Sequence, residues 1–594
     1  MKTGFAFSDH VRTERMRRRK TPESSPSHMR HILLVLFLGL GCLVLLGKLV
    51  SLQIVQGSYY RSLSDSNRIR TQLIYAPRGV IFDRYNTPLV FNTPGFREVK
   101  DNETVIVSRD EALERLSEGD TTLSIDSLRQ YPYKDAFSHV LGYVGQITEE
   151  ELAEEKFRQY DMTDWIGKSG IEYEYEEIVR GVNGKKLIEV DAAGNEVRIL
   201  GQTDPISGRD ITLTVDAKLQ QATFDAMKGI ERGAVVVSTP DGEILALVSV
   251  PSYDPNLFTL DDTYVATDTA YLDVGRIVTD SIGQPLLNRA IGGAYPPAST
   301  FKIITSAAGL EQKIIDASYT VEDTGILRVG EFSFANWYYT QYGRTDGQVD
   351  VTKALSRSND IFFYKLADKI GVDRLSMTAG EFGVGSRLGI DLPGEVRGVL
   401  PTKKWKEDNV GEPWYLGDNY HYGIGQGYLL STPLQVNIWT QVIANGGNVY
   451  QPHLLQKNEK KVMNKSFLSQ ETLDLITKGM IGACSEGGTA YPLFDVSVAN
   501  KNLEIDGKNI LSSPISTSSA SPPDGGEDMR KISVACKTGT AEHLVDHTSH
   551  AWLTAFAPSH DPEIVVTVLA EESGEGSQVA APIVKKILEA YFKQ

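Results

Sequence analysis

Cysteine is scarce in this chain: Cys42, Cys484 and Cys536 are the only three among 594 residues. Their spacing gives neither a paired zinc motif nor a dense disulfide framework. Positive charge is also in deficit, with 60 Lys and Arg against 77 Asp and Glu and a formal net charge of −17. An acidic chain of this kind is a poor partner for nucleic acid. No internal repeat is present. What remains is a composition of 41% hydrophobic and 23% charged residues, which belongs to a globular protein. The length calls for several domains.

Long apolar runs are likewise missing, with one exception. Ile32 to Gly47 is continuously apolar and continues past Lys48 through Leu49, Val50 and Leu52. It contains no acid, and its single Lys lies where it can snorkel to headgroups. With its flank the run approaches the roughly 20 residues that span a bilayer as a helix. Gly47-Lys48-Leu49-Val50-Ser51 makes a poor cleavage site, so residues 32–52 are expected to be a retained transmembrane helix. Residues 1–31 carry eight Lys and Arg against three acids. Positive flanks stay on the cytoplasmic side, which places the N-terminus inside and the rest of the chain outside the cell membrane as a single-pass protein. Cys484 and Cys536 then face an oxidising space compatible with a bridge, but the sequence leaves their separation open.

Residues 53–205 read as a mixed, loop-rich region in which no nucleophile meets a base. Gln72 to Ile81 and Leu187 to Val190 have strand-like content, and acidic Thr148 to Phe157 reads as a solvated helical stretch. From about 206 the pattern tightens. Asp210 to Val215 alternates, and Asp216 is placed to cap a helix. Gly233 to Ser238 and Glu243 to Val250 form a hairpin across Pro240-Asp241-Gly242. Three further strands are expected at Ile532–Thr540, Ala551–Ala557 and Ile564–Ala570, then a closing helix from Ala581 to Phe592. The material from about 295 to 490 is helical in pattern. The economical arrangement is α+β: a five-stranded antiparallel sheet built from both ends of residues 206–594, covered by helices, with an inserted helical lobe and a cleft between lobe and sheet. Residues 512–528, rich in Ser and Pro, read as a flexible loop.

Three short motifs carry chemistry. In Tyr295-Pro-Pro-Ala-Ser299-Thr-Phe-Lys302, the prolines set the start of a helix, and Ser299 and Lys302 share a face three residues apart. A serine hydroxyl needs a base, and a Lys with a pKa lowered by desolvation can serve. Ser358-Asn359-Asp360 precedes an apolar helix. Lys537-Thr538-Gly539-Thr540 ends a strand, where a Gly permits close backbone approach and a Lys with hydroxyls can hold a carboxylate. Each is commonplace alone; the ordered set is a recorded signature of serine acyl-enzymes that react with penicillin. His543, Asp546, His547 and His550 have ligand-like spacing, but they are read as surface residues, and no metal is expected.

The chain resembles the class B penicillin-binding proteins over nearly its full length. The resemblance rests on the three motifs and on Ala76-Pro-Arg78-Gly79-Val-Ile-Phe-Asp83-Arg84, Gly167-Lys-Ser-Gly170-Ile-Glu172 with Arg180-Gly181, Gly423-Ile-Gly-Gln-Gly427 with Thr432-Pro-Leu-Gln435, Gly488-Thr-Ala490, and Ala551 to Pro558. Ser358-Asn-Asp360-Ile-Phe-Phe-Tyr fits the register of the elongation (penicillin-binding protein 2) subgroup. The resemblance implies a pedestal domain over 53–205, a transpeptidase domain over 206–594, and a D,D-transpeptidase that cross-links peptidoglycan stem peptides and is acylated by β-lactams. Ser299 would be the nucleophile and Lys302 its base. Ser358 would relay a proton, with Asp360 and Lys537 tuning it, and Thr538, Gly539 and Thr540 would bind substrate. No cofactor is implied. A glycan polymerase of the SEDS type in the membrane is the implied partner. The β-lactamase alternative lacks a clear Glu-x-x-x-Asn after Ser358 for deacylation.

Overall fold

The computed structural model describes residues 28–100, 103–118, 120, 122–191, 196–260, 263–457, 459–499, 529–542 and 548–593. The 512–528 loop, His543, Asp546 and His547 therefore lie outside the described residues. The chain forms two compact units, residues 1–72 with 186–202, and residues 73–185 with 203–594. In the first, a helix over His28–Val50 runs on through a wider turn, Ser51–Val55. Met29–Val55 is long and apolar enough to cross a membrane. The strands Ile69–Ile74, Gly184–Val190 and Glu196–Thr203 form a three-stranded sheet.

The second unit opens on a largely buried ion network. Arg78 donates to Glu172 and Glu176, both with side chains 0% exposed, and Arg129 donates to Glu172 at 2.6 Å. Buried carboxylates of this kind persist only when paired, and each of these is. The network uses Arg78 and Glu172 of the two segments that resemble a pedestal. Thr148 to Phe157 forms one capped turn and a 3₁₀ turn whose Phe157 is buried.

The rest of the unit is built around strands Gly233–Ser238 (β1), Ile244–Val250 (β2), Ala535–Ala541 (β3), His550–Ala557 (β4) and Ile564–Ala570 (β5). They pair antiparallel in the order β2-β1-β5-β4-β3, which makes β3 an edge strand. This is the expected five-stranded sheet. Alternate side chains divide between two cores: Ala234 and Val236 face one, Val235 and Val237 the other. With both faces covered, the strands read as unbroken apolar runs. Helix Ala217–Ala226 (α1), capped by Asp216, and helix Ala580–Lys593 (α7) cover one face. Between them in sequence come Lys302–Glu311 (α2), Val351–Arg357 (α3), Asp360–Ile370 (α4), Pro433–Ala444 (α5) and Gln470–Ala483 (α6). Thr432 and Gln435 close a capping box on α5, and Asn437, Thr440 and Gln441 bond to Ser238 and Thr554 of the sheet.

Two strands are shorter than the sequence suggests, because the backbone changes partner. Met529–Ile532 pairs with Val496–Ala499, and Ser559 N then bonds to Ser533 O at 3.0 Å before β3 begins. Ile211–Thr212 pairs with Ile81–Phe82, after which Thr214 N turns to Leu454 O. Cys484, following α6, and Cys536, on β3, are joined by a disulfide with a Cα–Cα separation of 5.8 Å, which closes the question the sequence left open.

Candidate active site

Ser299 lies in a 3₁₀ turn, Ala298–Phe301, that runs directly into α2 at Lys302. Ala298, the residue before it, has φ +49°, a conformation that costs a non-glycine residue energy and that recurs at functional turns. The turn is held by Ala298 N donating to Gly425 O at 2.8 Å. A Cβ at Gly425 would come within 2.1 Å of the Ala298 carbonyl, so this position of the Gly423–Gly427 segment needs glycine.

Lys302 is fully buried on the first turn of α2. Its Nζ donates to Asp360 Oδ1 at 2.7 Å, to Ser358 O at 2.8 Å and to Ser358 Oγ at 3.3 Å. Lys537, equally buried on β3, donates to Ser358 Oγ at 2.9 Å and to Thr538 O at 3.0 Å. The fold thus gathers Lys302, Ser358, Asp360 and Lys537 into one contact set beside the Ser299 turn. Ser358 reaches both lysines from a left-handed backbone, φ +53°, between α3 and α4. Asn359 caps α4 by accepting from Phe362 N.

Burial lowers the pKa of Lys302, opposed by the Asp360 carboxylate. Lys537 is pushed well below the usual lysine range by burial and by the charge of Lys302. Two buried amines facing one buried carboxylate favour loss of one proton, which is the state a general base requires. When both are charged, the cluster carries a net positive charge suited to a peptide ending in a carboxylate.

Gly539 brings β3 against the Ser299 turn. A Cβ there would lie 3.2 Å from Pro297 O, 3.3 Å from Thr300 Cγ2 and 3.0 Å from Trp552 Cβ. Thr538 shares a hydroxyl hydrogen bond with Thr489 at 2.8 Å, and Thr540 O accepts from Gln426 at 3.5 Å. Thr489 and Gln426 belong to segments noted in the sequence without a role.

Sequence reasoning missed a support behind the Ser358 turn. Asp323 Oδ2 accepts from Asn336 Nδ2, Asn359 Nδ2 and Asp346 N, each at 2.9 Å. Asn336 Oδ1 accepts from Asp360 N, while Trp337 N donates to Asp360 Oδ2. These residues come from scattered turns with no motif to mark them. His550, read as a surface residue, is buried on β4, where its Nδ1 accepts from Glu572 N. Among the described residues no cluster of three or more His, Cys, Asp or Glu is placed to hold a metal ion.

This sheet and its helical cover, with a helix-start serine one turn before a buried lysine, are the make-up of a serine-type acyl-transferase. The chain belongs to the penicillin-binding protein transpeptidase family, whose domain matches residues 232–509 and 517–589, preceded by a match to the penicillin-binding protein dimerisation domain over 110–213. It is 31% identical over 625 residues to the peptidoglycan D,D-transpeptidase MrdA of Haemophilus influenzae, covering 94% of this chain and 91% of that protein. Penicillin-binding protein 2 of Helicobacter pylori, solved in complex with MreC, superposes with a TM-score of 0.71 at 27% identity, covering 88% of this chain and 99% of that one. A chain from a peptidoglycan synthase complex, described as coordinating polymerisation and cross-linking, gives 0.68 at 27% identity, covering 95% and 98%.

Proposed function

We propose that this protein is a membrane-anchored peptidoglycan D,D-transpeptidase of cell elongation, working through an acyl-enzyme on Ser299. The observation that carries the reading is the Lys302–Ser358–Lys537 contact set, anchored by Asp360, beside the Ser299 turn. Residues 32–52 would anchor it in the cytoplasmic membrane with the catalytic domain outside. Residues 53–205 would form the pedestal and 206–594 the transpeptidase domain.

In this mechanism the Ser299 hydroxyl gives its proton to neutral Lys302 and attacks the carbonyl between the two terminal D-alanines of a stem peptide. The backbone N–H groups of Ser299 and Thr540 receive the developing oxyanion, a position favoured by the close approach of β3 at Gly539. Thr538 and Thr540 hold the terminal carboxylate. Ser358, between the two lysines, passes a proton to the departing D-alanine nitrogen. An amine from a neighbouring strand then attacks the Ser299 ester and completes the cross-link. β-Lactams acylate the same hydroxyl. The partner would be a SEDS-type glycan polymerase, a reading supported by the relative found in a synthase complex that couples polymerisation to cross-linking.

The test is covalent labelling of the full chain in detergent with fluorescent penicillin, beside Ser299→Ala, on a denaturing gel. A stable band lost in the variant supports the reading. Rapid loss of label on chasing would indicate a β-lactamase, and no labelling of folded wild type would remove Ser299 as the nucleophile.

A further inference from the structure

At the end of β5 a single carboxylate gathers three segments. Glu571, the residue after β5, accepts at Oε1 from the Tyr295 hydroxyl at 2.5 Å and from Arg289 Nε at 2.8 Å. At Oε2 it accepts from Arg232 Nε at 3.1 Å. Arg289 is buried, and its other nitrogens donate to the carbonyls of Gly283 and Gln284. Tyr295 stands four residues before Ser299 and is pinned by backbone hydrogen bonds in both directions to Ser431. Its ring meets Trp552 edge-on at 6.4 Å, and Trp552 is paired with Gly539 of β3. The segment after Glu571 returns to the same place: a Cβ on Gly576 would lie 2.5 Å from Gly539 O.

We propose that Glu571, acting through the Tyr295 hydroxyl, is a positioning residue that fixes the Ser299 turn relative to β3. The two walls that must converge on an oxyanion come from different elements, which touch at Gly539: one is the start of α2, the other a sheet edge. Glu571 leaves the sheet at the end of β5, two strands from β3, and holds the segment leading into the nucleophile turn. Burial raises the Glu571 pKa, but the Tyr295 hydroxyl and Arg289 outweigh it and hold it below the usual range, so the group is ionised. Burial and that carboxylate raise the Tyr295 phenol, which keeps the proton it donates. A hydrogen bond to a charged acceptor in a dry site is stronger and more directional than a neutral one. The inference rests on Ser299 as the nucleophile.

The test uses the full chain in detergent and time-resolved acylation by fluorescent penicillin, separating the saturation constant from the maximal acylation rate. Tyr295→Phe removes one oxygen atom and keeps the ring. Its maximal rate is expected to fall ~10-fold with the saturation constant unchanged and the protein still folded at the assay temperature. Glu571→Ala, which removes the acceptor, should slow acylation at least as much. Adding Tyr295→Phe to it should cost nothing further, because both changes break the same link. A Tyr295→Phe variant as fast as wild type, or independent effects that multiply in the double variant, would overturn the proposal. A wild type that never labels would instead overturn the nucleophile reading, and this inference with it.

Discussion

Lys537 Nζ lies 2.9 Å from Ser358 Oγ, while Lys302 Nζ approaches the same oxygen at 3.3 Å from the other motif. The serine is thus the only side chain that touches both amines in the contact set. In the proposed mechanism it is the bridge along which a proton would pass between the lysines. Ser358→Ala keeps the left-handed turn but removes the bridge. Its acylation by fluorescent penicillin should slow by ~100-fold or more while the protein remains folded. A rate within threefold of wild type would remove Ser358 from the proton path.

The titration of this cluster sets the sign of the pH dependence. Burial lowers Lys302, and Asp360 opposes that shift. Burial and the charge of Lys302 lower Lys537, again opposed by Asp360. Acylation should therefore rise with pH as the pair loses its shared proton, with an apparent pKa that belongs to the coupled group. Asp360→Asn removes the one charge that holds the proton on. The rising limb should move to lower pH, while the plateau falls because an amide oxygen holds Lys302 less firmly than the carboxylate at 2.7 Å. Acylation rates from about pH 5 to pH 10 decide this, and an upward shift of the limb would contradict it.

The sheet was legible because each strand keeps apolar residues on both faces, and its helical cover because Asp216 and Thr432 sit at recognisable caps. Ser299, Lys302 and Lys537 were legible because their spacing is local, one helical turn or consecutive strand residues. Asp323, Asn336, Tyr295 and Glu571 were not. Each is an ordinary residue whose side-chain partners named above lie 13 to 339 positions away, and only the tertiary fold makes it a support. The start of β3 was misjudged for a related reason. Ile532 and Val534 are both apolar, and only the Ser533–Ser559 contact reveals the break between two ladders.

The disulfide ties the residue beside Lys537 to the end of α6, closing a loop of 52 residues in sequence separation. In the chain-entropy account a loop of that size restricts the unfolded state by about 4 kcal/mol. Reduction of the purified protein, or Cys484→Ser with Cys536→Ser, should lower the unfolding temperature by several degrees. Acylation at low temperature should fall less than stability, because β3 remains paired to β4 on its other side. Equal unfolding temperatures with and without reductant would show that the bridge restrains nothing that the fold does not already hold.

Two buried groups of this unit, His139 and Asp135, shift in opposite directions. His139 is lowered to about 4 by burial, opposed by the Pro285 carbonyl, to which Nε2 bonds at 2.8 Å. Asp135 is raised to about 6, first by burial and further by Asp254, with a hydrogen bond from Thr269 opposing. Neutral His139 favours the fold above its unfolded pKa of 6.5, and that contribution is lost as pH falls through 4. Protonated Asp135 favours the fold below its unfolded pKa of 3.8, and that contribution is lost as pH rises through 6. Each is worth about 3 kcal/mol at its limit, so between those values the two slopes nearly cancel. His139→Gln keeps a donor for the Pro285 carbonyl but removes the rising slope. Its stability relative to wild type should fall as pH rises through that window. Asp135→Asn should do the reverse. Urea midpoints at three pH values across the window test both, and curves parallel to wild type would show that neither group titrates with folding.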